Sequence, residues 1–156
     1  MATKRLYKEA RNLAETPAML CTAAIVEDED PFLWKATIQG PIGIPYEGGV
    51  FDLLLEFPPH YPSSPPSVRF KTKIFHPNID PPPRGESWIC VDILQQQWTP
   101  AVTVRQVLLS ICTLLCEPNA DDPVNGDAAR LFLLNRAKFN QTVKKWTEEY
   151  AKKKEE

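Results

Sequence analysis

The spacing of apolar residues changes along the chain, and this change restricts the possible folds more than any other feature. In the segment VFDLLLEF, the residues Phe51, Leu53 and Leu55 alternate with mostly polar positions, which is the period of a strand with one buried face. Between residues 104 and 115 the apolar positions recur every three or four residues, as in a mostly buried helix. A first helix, then strands, then further helices predict an α+β domain.

Turn signals divide the first half of the chain into shorter elements. A helix is predicted from Thr3, its N-cap, to the residues before Pro17. The buried stripe of this helix consists of Leu6, Ala10 and Leu13. Segments rich in glycine and proline then separate four short strands, which favour an antiparallel meander. The predicted strands span residues 21–26, 34–39, 50–57 and 67–72.

Three C-terminal helices are predicted after the strands. Thr103 and Gln106 form a capping box at the start of the first helix, and Pro118 ends it. Asn125 is the predicted N-cap of a short second helix. The last helix has a predicted buried stripe of four residues: Phe139, Val143, Trp146 and Tyr150.

Length and charge restrict the class of protein. The chain of 156 residues predicts a single domain over residues 1–150 and a short, charged, solvated tail over residues 151–156. A net charge of −2 provides no broad basic surface, which disfavours nucleic acid as a partner. Neither a membrane-length apolar run nor a secretory signal pattern is present, so a cytoplasmic or nuclear protein without membrane binding is expected. We also expect a monomer.

Four cysteines occur without a CxxC pair and with only two histidines, so free thiols are predicted and a metal site is not. Cys112 and Cys116 lie one helical turn apart in an apolar stripe, and Cys21 opens a strand. These three are predicted to be inert core residues. Cys90 instead follows an irregular, proline-rich loop, where reactive groups are often found. From the residues alone, Cys90 is either a nucleophile or a small core residue.

The two histidines provide no evident general base for a hydrolase. A hydrolytic cysteine needs a base beside the thiol and a third group that orients this base. His76 lies directly before Pro77, which favours a structural role, and His60 lies in another turn. A thiol that accepts and passes on an acyl group remains consistent with the sequence, because thiolate is both a good nucleophile and a good leaving group.

Two charged segments have more than one interpretation. The acidic stretch from Glu117 to Asp127 is either a polar turn or a loop over the thiol, in which Asp121 or Asp122 orients an incoming amine. The basic face of the first helix, which includes Lys4 and other cations, is interpreted from charge pattern alone as a solvated surface.

Five motifs, in this order and spacing, resemble the catalytic domain of ubiquitin-conjugating enzymes along nearly the whole chain. They are YPSSPP at 61–66, HPN at 76–78, ICVD at 89–92, WTPA at 98–101 and EPNADDP at 117–123. The resemblance implies the fold of that family, with an N-terminal helix, a four-stranded antiparallel meander and C-terminal helices.

The resemblance also implies roles for individual residues. Cys90 would carry ubiquitin as a thioester, Asn78 would organise the active-site loop and support the oxyanion, and Asp122 would position or deprotonate the acceptor lysine. His76 would be structural, with Asp92 and Asn119 in supporting positions. No cofactor would be bound, since ATP is used upstream by the activating enzyme.

The partners implied by the resemblance are ubiquitin, an activating enzyme, ubiquitin ligases and substrate proteins. The residues that match the surface for the activating enzyme and ligases are Lys4, Arg5, Lys8, Ser63, Gln97, Pro100 and Ala101. Thr22 matches a surface that binds a second ubiquitin in some members.

The chain departs from the family pattern near the cysteine and in one turn. The loop IDPPPRGESWI before Cys90 is longer than in common members, and Trp88 replaces a small or polar residue. Ser63 replaces a phenylalanine that ligases contact in several members. The uninterrupted DILQQQW segment and the acidic balance favour ubiquitin over SUMO as the modifier. The alternatives are another ubiquitin-like modifier, a non-catalytic binding module of the same fold, and a redox or hydrolytic cysteine protein.

Overall fold

The computed structural model describes residues 2–81 and 87–152 and confirms the predicted α+β fold. One four-stranded antiparallel sheet with strand order β1-β2-β3-β4 lies between an N-terminal helix and three C-terminal helices in the sequence. The elements are α1 (Ala2–Glu15), β1 (Cys21–Glu27), β2 (Asp30–Gln39), β3 (Val50–Glu56), β4 (Ser67–Phe70), α2 (Val104–Cys116), α3 (Gly126–Leu134) and α4 (Arg136–Tyr150).

The alternation of side chains in β3 positions the core. Phe51, Leu53 and Leu55 are each at most 1% exposed, as the period of two predicts. Leu53 and Leu55 lie opposite Ala36 and Trp34 of β2, which are also buried. Each of these pairs packs apolar side chains on the inner face, so burial fixes the register of β2 against β3.

Four strand ends differ from the predicted ones, because backbone pairing rather than apolar pattern determines them. β1 ends one residue late, at Glu27. β2 begins four residues before the predicted start, since Glu27 and Asp30 still pair across the hairpin that joins β1 to β2. β4 ends at Phe70 instead of residue 72. The amides of Lys71 and Thr72 both donate to the Asp52 carbonyl, and the chain leaves the sheet there. β3 ends one residue early, at Glu56.

The predicted helix starts are confirmed at α2 and α3 and wrong at α1. The Thr103 hydroxyl accepts the Gln106 amide, and the Gln106 side chain accepts the Thr103 amide, which completes the capping box. Asn125 caps α3 by accepting the Ala128 amide. Thr3 is not a cap, because α1 already includes Ala2, a strong helix former, and an N-cap residue lies outside the helix.

The ends of α2 and α4 are more exposed than the apolar periodicity predicts. Cys116, predicted to be a core residue, is exposed because it is the last residue of α2, beyond the buried stripe that ends at Leu115. Tyr150, predicted to be buried, is 44% exposed at the end of α4, where Lys73 lies 4.9 Å from its ring centroid. Phe139 and Val143 are buried as predicted.

The first residues of the predicted solvated tail are part of the packed structure. Ala151 is 2% exposed, and its carbonyl accepts the Val50 amide at 2.7 Å. Lys152 forms an isolated antiparallel bridge with Gly49. Residues 153–156 lie outside the described part of the chain. Among the described helices, none combines the length and the apolar character needed to span a membrane.

Candidate active site

Cys90 lies on a groove of about 530 Å³ that four segments of the chain form together. The groove is lined by the loop before Cys90, by the segment that follows it, by one side of α2 and by the loop after α2. The predicted site residues that contribute to the lining are Asn78, Asp92, Gln97, Asn119 and Asp122. Asn78 therefore reaches the same surface as Asn119 and Asp122, which lie 41 and 44 positions later in the sequence.

Backbone hydrogen bonds fix the position of Cys90. Its amide donates to the Asn78 carbonyl at 2.9 Å, and the preceding Ile89 amide donates to the Val68 carbonyl at 3.0 Å. Ile89 also forms an antiparallel bridge with Ile79. The cysteine is thus held between the HPN loop and the edge strand β4, while its side chain remains half-buried.

Gln95 contacts the Cys90 sulfur and was missed in the sequence analysis. Its Nε2 donates to Cys90 Sγ at 3.3 Å. The residues after Cys90 form a 3-10 turn at Asp92–Leu94. The Gln95 amide donates to the Asp92 carbonyl at the end of this turn, which brings the side chain back toward the thiol. The run of three glutamines gave no signal to distinguish Gln95 from its neighbours.

Asn78 joins the loop before Cys90 to the loop after α2. The side chain is 2% exposed, and its Nδ2 donates to the carbonyls of Asn119 at 2.8 Å and Asp122 at 3.4 Å. Its Oδ1 accepts the Asn119 amide at 2.9 Å. A primary amide has two N–H donors, and both point to backbone carbonyls here. This geometry favours the loop-organising part of the role implied for Asn78.

His76 is fully buried and neutral. Its Nδ1 accepts the Asn78 amide at 2.9 Å, so Nε2 carries the proton and donates to the Leu114 carbonyl of α2 at 2.8 Å. Burial lowers the pKa of His76 to about 4, against its ordinary value of 6.5. Both ring nitrogens are engaged, which supports a structural role and argues against a general base.

The acidic stretch is fixed to the HPN loop and borders the groove of Cys90. The Pro77 carbonyl accepts the amides of Val124 and Asn125 at 2.9 and 3.0 Å. Asn125 caps α3, as a polar turn would require, while Asp122 is exposed and lines the groove of Cys90. The Asn119 side chain accepts the Asp121 amide at 3.3 Å and shapes the turn between them.

The cations on the basic face of α1 are of two kinds: some are exposed to solvent, and one forms hydrogen bonds within the protein. Lys4 and Lys8 are exposed. The Arg5 side chain is 28% exposed, pairs with Glu9 at 3.1 Å, and donates to the carbonyls of Pro100 and Val102. Arg5 was predicted as part of a partner surface, and in the structure it also holds the loop at residues 100–102 against α1.

Glu9 extends these contacts to two further elements. Its carboxylate accepts the Tyr61 hydroxyl at 2.6 Å and the Val104 amide, at the start of α2, at 2.7 Å. Next to Tyr61, the Trp98 indole donates to the Pro62 carbonyl at 3.0 Å. These bonds bring the predicted partner residues Ser63, Pro100 and Ala101, all exposed, to the end of the molecule where α1 lies.

Thr22 lies on the outer face of the sheet. It is exposed, while the preceding residue, Cys21, points inward and is buried. Thr22 lines a shallow groove of about 540 Å³ whose other polar residues include Lys35, Asp52 and Lys71.

The family-atypical loop is described only in part. Trp88 is half-buried, its backbone bridges Arg69 of β4, and the Arg69 guanidinium lies 5.7 Å from its ring centroid. Trp88 therefore packs against the edge strand. Residues 82–86, which include most of PPPRGESW, lie outside the described residues. Within residues 2–81 and 87–152, no group of three or more His, Cys, Asp or Glu side chains is arranged to hold a metal ion.

Two comparisons with known proteins cover nearly the whole chain. Residues 5–147 match the family model described as ubiquitin-conjugating enzyme. Among solved structures, the E2 domain of a Toxoplasma gondii ubiquitin conjugating enzyme is similar, with 41% sequence identity and a TM-score of 0.88. The similarity covers 97% of this chain and 100% of the Toxoplasma domain.

Proposed function

We propose that this chain, which belongs to the ubiquitin-conjugating enzyme family, accepts ubiquitin as a thioester on Cys90 and transfers it to a substrate lysine. The observation that carries the proposal is the position of Cys90, a half-buried thiol on the groove that Asn78, Asn119 and Asp122 also line. An activating enzyme would supply the ubiquitin, and a ligase would bring the substrate.

Charging is an exchange between thiols. The Cys90 thiolate attacks the carbonyl carbon of the thioester between ubiquitin and the activating enzyme, a new C–S bond forms, and the cysteine of the activating enzyme leaves as a thiolate. ATP is consumed before this step, by the activating enzyme. The exchange needs no histidine base, which is consistent with the neutral, fully bonded His76.

Discharge forms an amide. The neutral lysine amine attacks the thioester carbonyl, the C–S bond breaks, and Cys90 leaves as a thiolate while the amine proton passes to Asp122 or to water. Asp122 is suited to this role because it is exposed on the groove. Asn78 acts by holding the backbone carbonyls of Asn119 and Asp122, and this positions the acidic loop beside the thioester.

Gln95 supports the sulfur in both steps. Negative charge develops on Cys90 Sγ when the thiolate forms and again when the thioester breaks. A donor already aimed at this atom stabilises that charge without reorganisation. The Nε2 of Gln95, 3.3 Å from Sγ, is such a donor.

Partner binding is assigned to the end of the molecule near α1. Lys4 and Lys8 are the exposed cations for the activating enzyme and ligases, with Ser63, Pro100 and Ala101 next to them and Gln97 at the groove. Arg5 shapes this surface from beneath. Thr22 marks a second ubiquitin surface on the outer face of the sheet. We further propose that the protein acts as a monomer in the cytoplasm or nucleus.

A charging assay tests the proposal. The full chain is incubated with ubiquitin-activating enzyme, ATP and ubiquitin and then run on a gel without reductant. We expect a band heavier by one ubiquitin that a thiol reductant removes, absent in Cys90→Ala and retained in Cys116→Ala, which removes an exposed thiol elsewhere. A reductant-sensitive band in Cys90→Ala would overturn the site assignment. Parallel reactions with SUMO or NEDD8 and their own activating enzymes test the choice of modifier.

A further inference from the structure

Two cysteines distant in sequence lie in direct contact inside the fold. The Sγ atoms of Cys21 and Cys112 are 3.3 Å apart, although the residues are separated by 91 positions. Cys21 opens β1 and is 4% exposed, while Cys112 lies on α2 and is half-buried. Each was predicted to be an inert core residue, and their contact permits a reaction that neither thiol can perform alone.

We propose that Cys21 and Cys112 form an oxidation site, at which a peroxide-class oxidant closes an internal disulfide between β1 and α2. The two sulfur atoms are already adjacent, so the cross-link requires only a small approach of the side chains. The site uses neither Cys90 nor its groove, and the inference does not rest on the proposed function.

The order of reaction follows from access and hydrogen bonding. Cys112 is the thiol that a small oxidant reaches, because Cys21 is almost completely covered. The contact with Cys21 lowers the pKa of Cys112, whereas the contact with Cys112 and burial raise the pKa of Cys21. Cys112 is therefore the attacking thiolate, and Cys21 keeps its proton until the second step.

The chemical balance needs one oxidant molecule. The Cys112 thiolate attacks the peroxide oxygen, the O–O bond breaks, and the products are Cys112 sulfenic acid and hydroxide or an alkoxide. The Cys21 sulfur then attacks the sulfenic sulfur, the S–O bond breaks, and water leaves with the Cys21 proton. Two thiols are oxidised to one disulfide while the peroxide takes up two electrons. In a reducing compartment the pair rests as thiols, and the cross-link forms under oxidative conditions.

The cross-link would constrain a helix that also borders the active site. Leu109, Ser110 and Thr113, on the same helix as Cys112, line the Cys90 groove. A disulfide that closes a long loop restricts the unfolded chain and stabilises the folded one. For a domain of this size we expect the melting temperature to rise on the order of 10 °C on oxidation and to return on reduction.

Peptide mapping of the full chain tests the proposal directly. The protein is treated with hydrogen peroxide, remaining thiols are alkylated, and a digest is analysed by mass spectrometry without reduction. We expect one linked peptide pair that contains Cys21 and Cys112, a mass loss of two hydrogen atoms, and reversal by a thiol reductant. Further oxidation of Cys112 without a linked pair, or a pair that contains Cys90 or Cys116 instead, would overturn the proposal.

Matched variants separate this site from the other thiols. Cys21→Ala and Cys112→Ala should each abolish the cross-link and the reversible rise in melting temperature. Cys116→Ala, which removes the exposed thiol one helical turn from Cys112, should retain both, as should Cys90→Ala. Since the mapping is done on the parent chain, it remains decisive even where a cysteine variant folds poorly. Loss of the cross-link in Cys90→Ala would contradict an independent site.

Discussion

Cys90 and Cys112 are both half-buried thiols, and the groups around their sulfur atoms are different. Cys90 Sγ receives an amide donor from Gln95 and borders a groove with space for a peptide carbonyl. Cys112 Sγ contacts the thiol of Cys21 at the boundary between a strand and a helix. From this comparison we expect that the groups around the sulfur and the space beside it, more than its degree of exposure, determine which reaction each cysteine performs.

The largest difference expected between the two thiols is in ubiquitin charging. Cys90→Ala should abolish the thioester completely because it removes the nucleophile, while Cys112→Ala should charge at a rate close to that of the parent. Single-turnover charging, followed on gels without reductant, measures both. A comparable loss of charging in the two variants would remove the distinction between them.

The second largest expected effect is the loss of stability when His76 is protonated at low pH. His76 bonds α2 through Leu114 and the HPN loop through Asn78. Because the pKa of buried His76 is about 4 rather than 6.5, the unfolded chain takes up its proton first as the pH falls. The contribution of His76 is complete above pH 6.5 and decreases toward pH 4, by roughly 3 kcal/mol of unfolding free energy.

Urea unfolding at several pH values measures this loss, and NMR of the imidazole signals assigns it. His60→Gln, which changes an exposed histidine, is the control and should keep the same pH dependence. A His76 signal that titrates near pH 6.5 would contradict the neutral, buried state.

Loss of the Asn78 side chain should affect both stability and discharge. Its effect on the free energy of unfolding should be smaller than that of His76 protonation. Asn78→Ala leaves the Asn119 amide and two carbonyls without their partner, which costs about 2 kcal/mol of unfolding free energy. Charging should persist, while discharge onto free lysine slows by about tenfold or more because the Asp122 loop is no longer held. Denaturant unfolding and lysine discharge measure the two effects. Asn119→Ala, which keeps the backbone groups that bind Asn78, should be milder.

The smallest expected effect concerns the donor at the Cys90 sulfur. Gln95→Leu removes one hydrogen bond, worth about 1 kcal/mol, so charging and discharge should each slow by about fivefold. The rate of Cys90 alkylation at a fixed pH should change as well, which a purely structural role would not cause. Gln95→Arg, which retains a donor, should restore most of the rate, and Gln96→Leu is the neighbouring control. Unchanged charging, discharge and alkylation rates in Gln95→Leu would exclude Gln95 from the mechanism.

The order and type of the secondary-structure elements could be predicted from the sequence, because each element has its signal within a few neighbouring residues. The alternation through Phe51 and Leu53 and the capping box at Thr103 depend on residues within a few positions of each other. The candidate site was predicted from family motifs in addition to residue chemistry. The HPN and ICVD motifs point to Asn78 and Cys90, but they do not show what these side chains contact. The residues before Cys90 at 82–86 remain outside what the structure describes.

The contacts that sequence analysis missed are long-range or depend on backbone direction. Cys21 and Cys112 meet only because β1 and α2 pack together, and nothing in either segment indicates the other. Gln95 reaches Cys90 because a single 3-10 turn reverses the chain between them. Arg5 had the pattern of an exposed cation, and its role depends on Glu9 and a distant loop.

The contacts of Arg5 affect how a mutational map of partner binding should be interpreted. Replacement of Arg5 would release the Pro100 and Val102 carbonyls and deprive Glu9 of its cation, so the loop could move even if no partner touches Arg5 itself. A binding defect in such a variant would report a displaced loop as readily as a lost contact. Charge reversal at Lys4 and Lys8, whose side chains are exposed, is the more direct probe of where a partner docks.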